Sequence, residues 1–116
     1  MHELTTPSGK PFRYKEYPAG EIIIYPSDKE GRFQEREALV ITPYTVNLIC
    51  HAIQEKGRVF MGASRDNPPA SSLGKLLKNI NQSPQQLSYL TAILAAKKVC
   101  TIEKDGNAYV IVHRRP

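Results

Sequence analysis

The sequence predicts an α+β fold in which three helices and a C-terminal β-hairpin follow an N-terminal β-strand extension. Three observations lead to this prediction. Apolar residues alternate with polar ones near the N-terminus, apolar residues recur at helical spacing in three later segments, and an Asp105-Gly106 pair separates two alternating runs near the C-terminus. A chain of 116 residues is expected to form one domain around a single core.

The first 41 residues are interpreted as a small β-meander. Aromatic residues occupy positions 12, 14 and 17, a β-branched run covers 21–25, and 38–41 is a further strand candidate. A sheet of two or three such strands is marginal alone, so it has to pack on the helices or on a second copy of itself. We therefore divide the chain into an N-terminal β-extension, 1–41, and a helical domain, 42–116.

The first helix is predicted to begin after Thr42 and to end at Gly57. Thr42 is a good N-cap, Pro43 suits the first helical position, and Gly57 is a typical stop signal. Residues 59–61 are long enough for a short strand after this helix. A single apolar stripe supports the helix and is formed by Val46, Ile49, Cys50 and Ile53.

The second helix follows a loop, 62–70, in which a Pro-Pro pair forbids helix. Ser71 or Ser72 is expected to cap the helix. Gly74 lies inside it, where glycine costs about 1 kcal/mol relative to alanine. Its presence predicts either the close approach of another helix or a marginally stable segment. The apolar face consists of Leu73, Leu76, Leu77 and Ile80.

The third helix, 83–98, has the strongest start signal in the chain. The motif Ser83-Pro84-Gln85-Gln86 predicts a capping box, in which the serine and the last glutamine each bond the other's backbone amide. Lys97 and Lys98 suit the C-terminal end, where the helix dipole favours cations. The core stripe of this helix is formed by Leu87, Leu90, Ile93 and Leu94.

The chain is predicted to end in a β-hairpin over 99–112. An Asp-Gly pair between alternating strands favours a two-residue type I′ turn. That turn places Ile102 opposite Tyr109 and Cys100 opposite Ile111. We expect the face that bears these four side chains to pack on the helices.

Helix, turn, helix and β-hairpin in this order is the layout of a winged helix-turn-helix, which usually places one helix in the DNA major groove. From the capped start at 83 through the hairpin, the chain resembles the recognition helix and wing of MarR-type and ArsR-type regulators. The resemblance is carried by the steps Leu87-Ser88-Tyr89-Leu90, Ile93-Leu94 and Val99-Cys100. With the first helix included it extends over 42–112. It implies that 59–61 joins the hairpin as a third strand.

The chain departs from the pattern of these regulators at three places. Lys98 stands where they usually have glycine before the wing, and Tyr89 stands where a basic residue is common. The loop 62–70 is longer and richer in proline than usual. The tyrosine removes a phosphate-binding side chain from the middle of the helix, and the loop suggests an added contact surface.

The net charge of +5 is concentrated in the helical part of the chain. Residues 1–41 hold six basic and seven acidic side chains, whereas 42–116 hold ten basic and four acidic ones. A basic field on the segment with the helix-turn-helix pattern suits a polyanion, because neutralised phosphates release counterions. The charge distribution therefore favours a nucleic-acid partner over the alternative that the basic residues only keep the protein in solution.

If the third helix enters the major groove, its polar side chains face base edges and the surrounding lysines contact phosphates. Thr91, nearer the middle of the helix, is expected to face the same way, and Arg114 and Arg115 are further phosphate candidates. The predicted DNA-binding residues are Lys75, Lys78, Gln82, Ser83, Gln85, Gln86, Ser88, Tyr89, Lys97, Lys104 and Asn107.

These features predict a protein that binds double-stranded DNA as a transcriptional regulator, as a homodimer because two-fold sites add specificity. The expected dimer or partner surface is the N-terminal strand region, with Phe12, Tyr14, Tyr17 and 22–24. One alternative is a protein-interaction winged helix, a subunit of a larger complex without base readout, which Tyr89 and the long loop favour. A second alternative is a small nucleic-acid-modifying accessory factor, which no feature of the sequence supports.

Motifs for catalysis and for metal binding are missing from the sequence. It has no Gly-rich phosphate loop, nucleophile elbow or zinc-type Cys–His spacing, so we expect neither an enzyme nor a cofactor. Arg65-Asp66-Asn67 is interpreted as a turn rather than an anion-binding or active-site loop. Cys50 and Cys100 are expected to be small buried hydrophobes, not a disulfide. The chain shows no secretory signal and no membrane-length apolar run, which predicts a cytoplasmic protein.

Overall fold

A computed structural model describes residues 1–28, 30–63 and 68–114 of the chain. The predicted turn Arg65-Asp66-Asn67 and the phosphate candidate Arg115 lie outside these residues. The described residues form an α+β fold of three α-helices and two antiparallel sheets, which confirms the predicted class. The elements are β1 (His2–Thr5), β2 (Pro11–Glu16), β3 (Ile22–Pro26), β4 (Leu39–Ile41), α1 (Pro43–Lys56), β5 (Arg58–Phe60), α2 (Leu73–Asn79), α3 (Leu87–Ala96), β6 (Cys100–Asp105) and β7 (Ala108–His113).

The N-terminal residues form a four-stranded sheet in the order β1-β2-β3-β4, one strand more than the meander predicted from the sequence. The added strand, β1, carries only one half-buried apolar residue, Leu4, so its sequence gives little signal of a strand. In the other strands alternate residues point inward because side chains alternate along a strand. The buried inner face consists of Phe12, Tyr14, Ile22, Ile24 and Ile41.

The second sheet has the order β5-β7-β6, so the strand after α1 joins the C-terminal hairpin as its third strand, as the resemblance implied. The predicted hairpin register is wrong by two residues, because Ile102 lies opposite Ile111. The loop is Gly106-Asn107, and only Gly106 has a positive φ, of 63°. A type I′ turn needs positive φ at both central residues, whereas a type II′ turn needs it only at a leading glycine. A shift of two residues leaves every side chain on its predicted face.

The helix boundaries agree closely with the sequence signals. The Thr42 side chain accepts a hydrogen bond from the amide of Thr45 at the start of α1, and the Gly57 amide closes its end on the carbonyl oxygen of Ile53. Ser72, rather than Ser71, caps α2 through the amide of Lys75. These three caps supply partners for backbone groups that a helix end leaves unpaired.

The third helix begins differently from the predicted capping box. Residues Pro84–Gln86 form one 3₁₀ turn before α3, and the Ser83 hydroxyl accepts from the amide of Gln85 at 3.3 Å. The Gln86 side chain does not return to the Ser83 amide; its Nε2 donates to the Ser83 carbonyl oxygen at 3.0 Å. The tighter 3₁₀ turn brings the Gln86 side chain to the Ser83 carbonyl oxygen instead of to the Ser83 amide.

A single hydrophobic core joins both predicted parts of the chain. Helix α3 lies at its centre, because its residues pack on β6 on one side and on the N-terminal sheet on the other. The sheet therefore packs on the helices, one of the two solutions expected for it. The predicted partner surface is therefore wrong at four residues, because their side chains are buried in this internal contact: Phe12, Tyr14, Ile22 and Ile24. Among the described residues, no helix has the length and apolarity that crossing a membrane requires.

Candidate nucleic-acid interface

The turn between α2 and α3 presents the most accessible of the predicted base-reading residues. Ser83 and Gln85 are exposed and Gln82 is half-buried. The chain reaches this position through Asn81, whose φ of 60° is tolerated better by asparagine than by most residues. The N-terminal end of α3 therefore offers short polar side chains to solvent.

Gln86 does not belong to this exposed set, which corrects its predicted role. Its side chain is only 8 % exposed and donates to the Gln82 side-chain oxygen as well as to the Ser83 carbonyl oxygen. An amide that already uses both donor hydrogens has little capacity left for an adenine edge. Gln86 therefore holds the α2–α3 turn together.

The middle of α3 is covered by the N-terminal sheet. The ring of Tyr89 meets the edge of Phe12 at 5.1 Å between centroids, and burial raises the pKa of the Tyr89 phenol. Thr91 is fully buried and donates to the carbonyl oxygen of Leu87 at 2.6 Å. The expectation that Thr91 faces base edges is therefore wrong, because its side chain is fully buried, whereas Tyr89 is half-buried and its role in base contact stays a prediction.

The remaining surface of α3 forms the floor of a groove, which we call the α3 groove. Ser88, Tyr89, Ala92 and Ala95 lie along this floor. The turn between β1 and β2 forms one wall, and the hairpin of β6 and β7 forms the other. The other residues that line the groove are Thr5, Thr6, Pro7, Ser8, Lys10, Leu39, Ala63, Gln85, Ile102, Glu103, Lys104 and Tyr109.

The predicted phosphate-binding lysines occupy different environments. Lys97 pairs with Glu16 of β2 at 2.5 Å, so part of its charge is neutralised within the chain. Lys104 is exposed at the hairpin, with its ammonium 5.9 Å from the ring centroid of Tyr109. Lys75 is half-buried in the first turn of α2, and Lys78 is exposed on the same helix. The structure thus separates the lysines rather than collecting them in one cluster.

The exposed tip of the hairpin lies close to the α3 groove. Asn107 and Tyr109 share a depression with Ala63, and Ala63 also borders Gln85 and Ser88. The hairpin tip and the N-terminal end of α3 therefore both lie beside Ala63. This juxtaposition brings the predicted residues Gln85, Ser88 and Asn107 onto one face.

Three residues on that face were not predicted from the sequence. Thr6, Ser8 and Lys10 belong to the turn between β1 and β2, which lines the α3 groove. The Pro-Ser-Gly composition of that segment indicates a turn, but only the packing of the sheet on α3 determines where the turn lies. These residues add hydroxyl groups and a cation to the predicted set.

The two cysteines are free thiols, Cys100 buried and Cys50 half-buried, in agreement with their predicted role. Burial, together with the neighbouring Cys50, raises the pKa of the Cys100 thiol to about 11. A thiol held in its neutral form is a poor nucleophile and a poor metal ligand. Across the ranges 1–28, 30–63 and 68–114, no group of three or more His, Cys, Asp or Glu side chains is placed to hold a metal ion.

Comparison of the chain with protein-family models, with curated proteins and with solved structures finds no match. The class that the fold defines is a three-helix α+β protein with two antiparallel sheets. Inferences about its activity therefore depend on the face described above.

Proposed function

We propose that this protein is a DNA-binding protein of the winged helix-turn-helix type that acts in transcription regulation. The observation that carries the proposal is the strand order β5-β7-β6 around helices α1, α2 and α3, which is the arrangement expected of a three-stranded wing. The hairpin tip and the N-terminal end of α3 share one face, as DNA contact by such a fold requires.

The covering of the middle of α3 limits how the helix can contact DNA. A helix that reads bases has to project into a major groove about 8.5 Å deep. The N-terminal sheet and the hairpin flank α3, so only its first turn is free to project. We therefore propose that Gln85 provides limited base readout and that most contacts are made to the phosphate backbone, which gives affinity but little sequence discrimination.

Electrostatics supports a polyanionic partner for this face. The excess of cations over acids falls entirely within 42–116. Glu103, which precedes the hairpin cation Lys104, pairs with Arg58 at 3.1 Å. Since Arg58 offsets Glu103, that carboxylate does not cancel the charge of Lys104 beside the α3 groove.

A salt titration of binding to a random-sequence DNA duplex tests this function. Affinity should fall linearly with salt on logarithmic axes, with a slope of about −3 to −5 if a few phosphates are contacted. Lys104→Glu should weaken binding by about tenfold and flatten the slope by about one to two. Lys15→Glu is the matched control, because Lys15 is exposed on the opposite face of the N-terminal sheet. Absence of binding at low salt would overturn the proposal.

A second function, a protein-interaction subunit, is favoured by one specific observation. The edge strand β4 and the start of α1 expose three large apolar side chains, Leu39 at 40 %, Val40 at 57 % and Tyr44 at 66 %. Exposed apolar residues on an edge strand are typical of surfaces that another chain covers. Under this alternative, Val40→Lys would abolish complex formation or homodimerisation, as measured by light scattering, whereas Lys104→Glu would have no effect on either.

A further inference from the structure

We propose that the α3 groove holds one sugar-phosphate strand, so that the turn between β1 and β2 is a third nucleic-acid contact beside the helix and the hairpin. This inference rests on the proposed DNA-binding function and deepens it. In this arrangement α3 does not enter a groove of the DNA. Instead, one DNA strand lies in the α3 groove of the protein. It also gives the N-terminal sheet a part in binding.

The groove consists of two depressions that lie along the side of α3. One depression, of about 390 Å³, lies between the hairpin and Ala92 and Ala95. A second, of about 420 Å³, lies beside Ser88. The two adjoin at Thr6, which lines both. A single extended chain laid along α3 would therefore pass through both depressions.

The dimensions suit a short length of nucleic-acid backbone. From Gln85 to Ala95 the helical rise of 1.5 Å per residue gives a floor of about 15 Å. Neighbouring phosphates along one strand of B-form DNA lie further apart than the axial rise of about 3.4 Å, because the strand winds around the axis, so fewer than four of them span this length. The small side chains of Ala92 and Ala95 leave room for the strand at the hairpin end.

The lining has the chemistry that a phosphodiester backbone needs. Lys10 stands on one wall and Lys104 on the other. The hydroxyl groups of Ser8 and Ser88 also line the groove and can donate to phosphate oxygens, whereas the Thr6 hydroxyl is buried and bonds the Ser8 hydroxyl at 3.1 Å. The acidic residue Glu103 also lines the groove, but its carboxylate is engaged by Arg58 at 3.1 Å. The charge left facing the groove is therefore positive.

The wall that carries Lys10 is rigid. Its Thr6 amide donates to the Lys10 carbonyl oxygen at 2.8 Å, and the Lys10 amide returns a hydrogen bond to the Thr6 hydroxyl at 3.1 Å. Gly9 closes the turn with a φ of 94° and donates to the Thr6 carbonyl oxygen. A preorganised wall lowers the entropic cost of binding. This favours a specific phosphate contact at Lys10 over a lysine that lies on the surface without a binding role.

The test compares two charge reversals in the same sheet. Lys10→Glu alters the groove wall, and Lys15→Glu alters an exposed residue on the outer face of the adjoining strand. Binding of each variant to a duplex of about 20 base pairs and to the corresponding single strand is measured by fluorescence anisotropy. The salt concentration is varied from about 50 to about 200 mM, because affinity that depends on phosphate contacts falls strongly over this range. Unchanged thermal unfolding establishes that both variants are folded.

We expect Lys10→Glu to weaken binding by about tenfold and to lower the salt slope by about one to two, whereas Lys15→Glu changes affinity by less than about twofold. Ser88→Glu, which places a carboxylate on the groove floor, should have the same effect as Lys10→Glu. A larger effect on the single strand than on the duplex identifies an unpaired strand as the occupant, and equal effects identify one strand of a duplex.

The outcomes separate the two proposals. If the unaltered protein binds DNA but Lys10→Glu behaves like Lys15→Glu, the groove is not the site and the proposed function stands. If the unaltered protein binds neither the duplex nor the single strand, the proposed function is overturned and the groove inference with it.

Discussion

Gly74 of α2 packs directly against the backbone of Gly62. A Cβ atom added to Gly74 would lie 2.7 Å from the carbonyl carbon of Gly62 and closer still to its oxygen. The amide of Gly74 also donates to the carbonyl oxygen of Met61 at 2.8 Å. The sequence predicted either a close approach by another helix or a marginal helix. The close approach is present, but the neighbour is the chain that leaves β5.

Gly74→Ala should therefore destabilise the protein. Helix propensity alone predicts a gain of about 1 kcal/mol, because glycine is a poor helix former. The clash with the Gly62 carbonyl predicts the opposite sign and a loss of about 1–3 kcal/mol or more, since backbone cannot rotate away as a side chain does. Urea unfolding measures the difference. Asn79→Ala, at an exposed site of the same helix, is the control and should change stability by less than about 0.5 kcal/mol.

Phe12→Ala should show that the N-terminal sheet is part of the core rather than an accessory. Phe12 is completely buried and its ring packs against that of Tyr89 in α3. Removal of a buried phenylalanine ring costs about 3–5 kcal/mol. Tyr17→Ala is the control, because Tyr17 is 38 % exposed and follows the same strand. Equal small losses for both variants in thermal or urea unfolding would mean that the sheet is attached only loosely.

The local elements were predictable because each depends on neighbours in the sequence. The cap at Thr42, the stop at Gly57 and the strand of 38–41 all follow from rules about adjacent residues. The hairpin face was predicted correctly even though its register was not, since a shift of two residues preserves the alternation of side chains. A prediction that depends on the alternation of side chains therefore stays correct when the strand register is wrong by two residues.

The environment of α3 was not predictable in the same way. The stripe of Leu87, Leu90 and Leu94 identified one buried side correctly. Nothing near Tyr89 in the sequence indicates that Phe12, 77 positions earlier, covers the other side. That contact depends on how a four-stranded sheet closes over the helix, and long-range packing of this kind leaves no periodic signal. Tyr89 and Thr91 were therefore assigned to a solvent face, although Thr91 is fully buried and Tyr89 is half-buried against Phe12.

Lys98→Gly should stabilise the protein. Lys98 follows the C-terminal end of α3 with a φ of 64°, a left-handed conformation that disfavours residues with a Cβ atom. Glycine removes that strain but loses more freedom on folding, so the expected net gain is up to about 1 kcal/mol. This is the position where the resembling regulators usually have glycine.

The matched control for Lys98→Gly is Ala96→Gly, at the exposed last residue of α3. Glycine relieves no strain there and should cost about 0.5–1 kcal/mol. Opposite signs for the two substitutions in urea unfolding would establish the left-handed cap. A loss of stability for both would show that Lys98 is not strained in the folded protein.

The stability of the protein should fall above pH 9 because of Cys100. In the folded protein the pKa of this thiol is raised to about 11 from an ordinary value of 9.0, first by burial and second by the neighbouring Cys50. Between these two values the folded thiol keeps its proton while the unfolded chain releases it. Unfolding then releases a proton, so rising pH favours the unfolded state.

Other groups titrate in the same range, so the measurement compares the protein with Cys100→Ala under reducing conditions. At pH 8 the variant is less stable, because the substitution leaves a cavity beside the buried strand. By pH 10.5 the unaltered protein should have lost about 2 kcal/mol more than the variant, since only the thiol carries the linked proton. If the difference in unfolding free energy between the two is the same at both pH values, the thiol titrates normally. Cys100 would then have to be accessible to solvent, which contradicts its buried position at the start of β6.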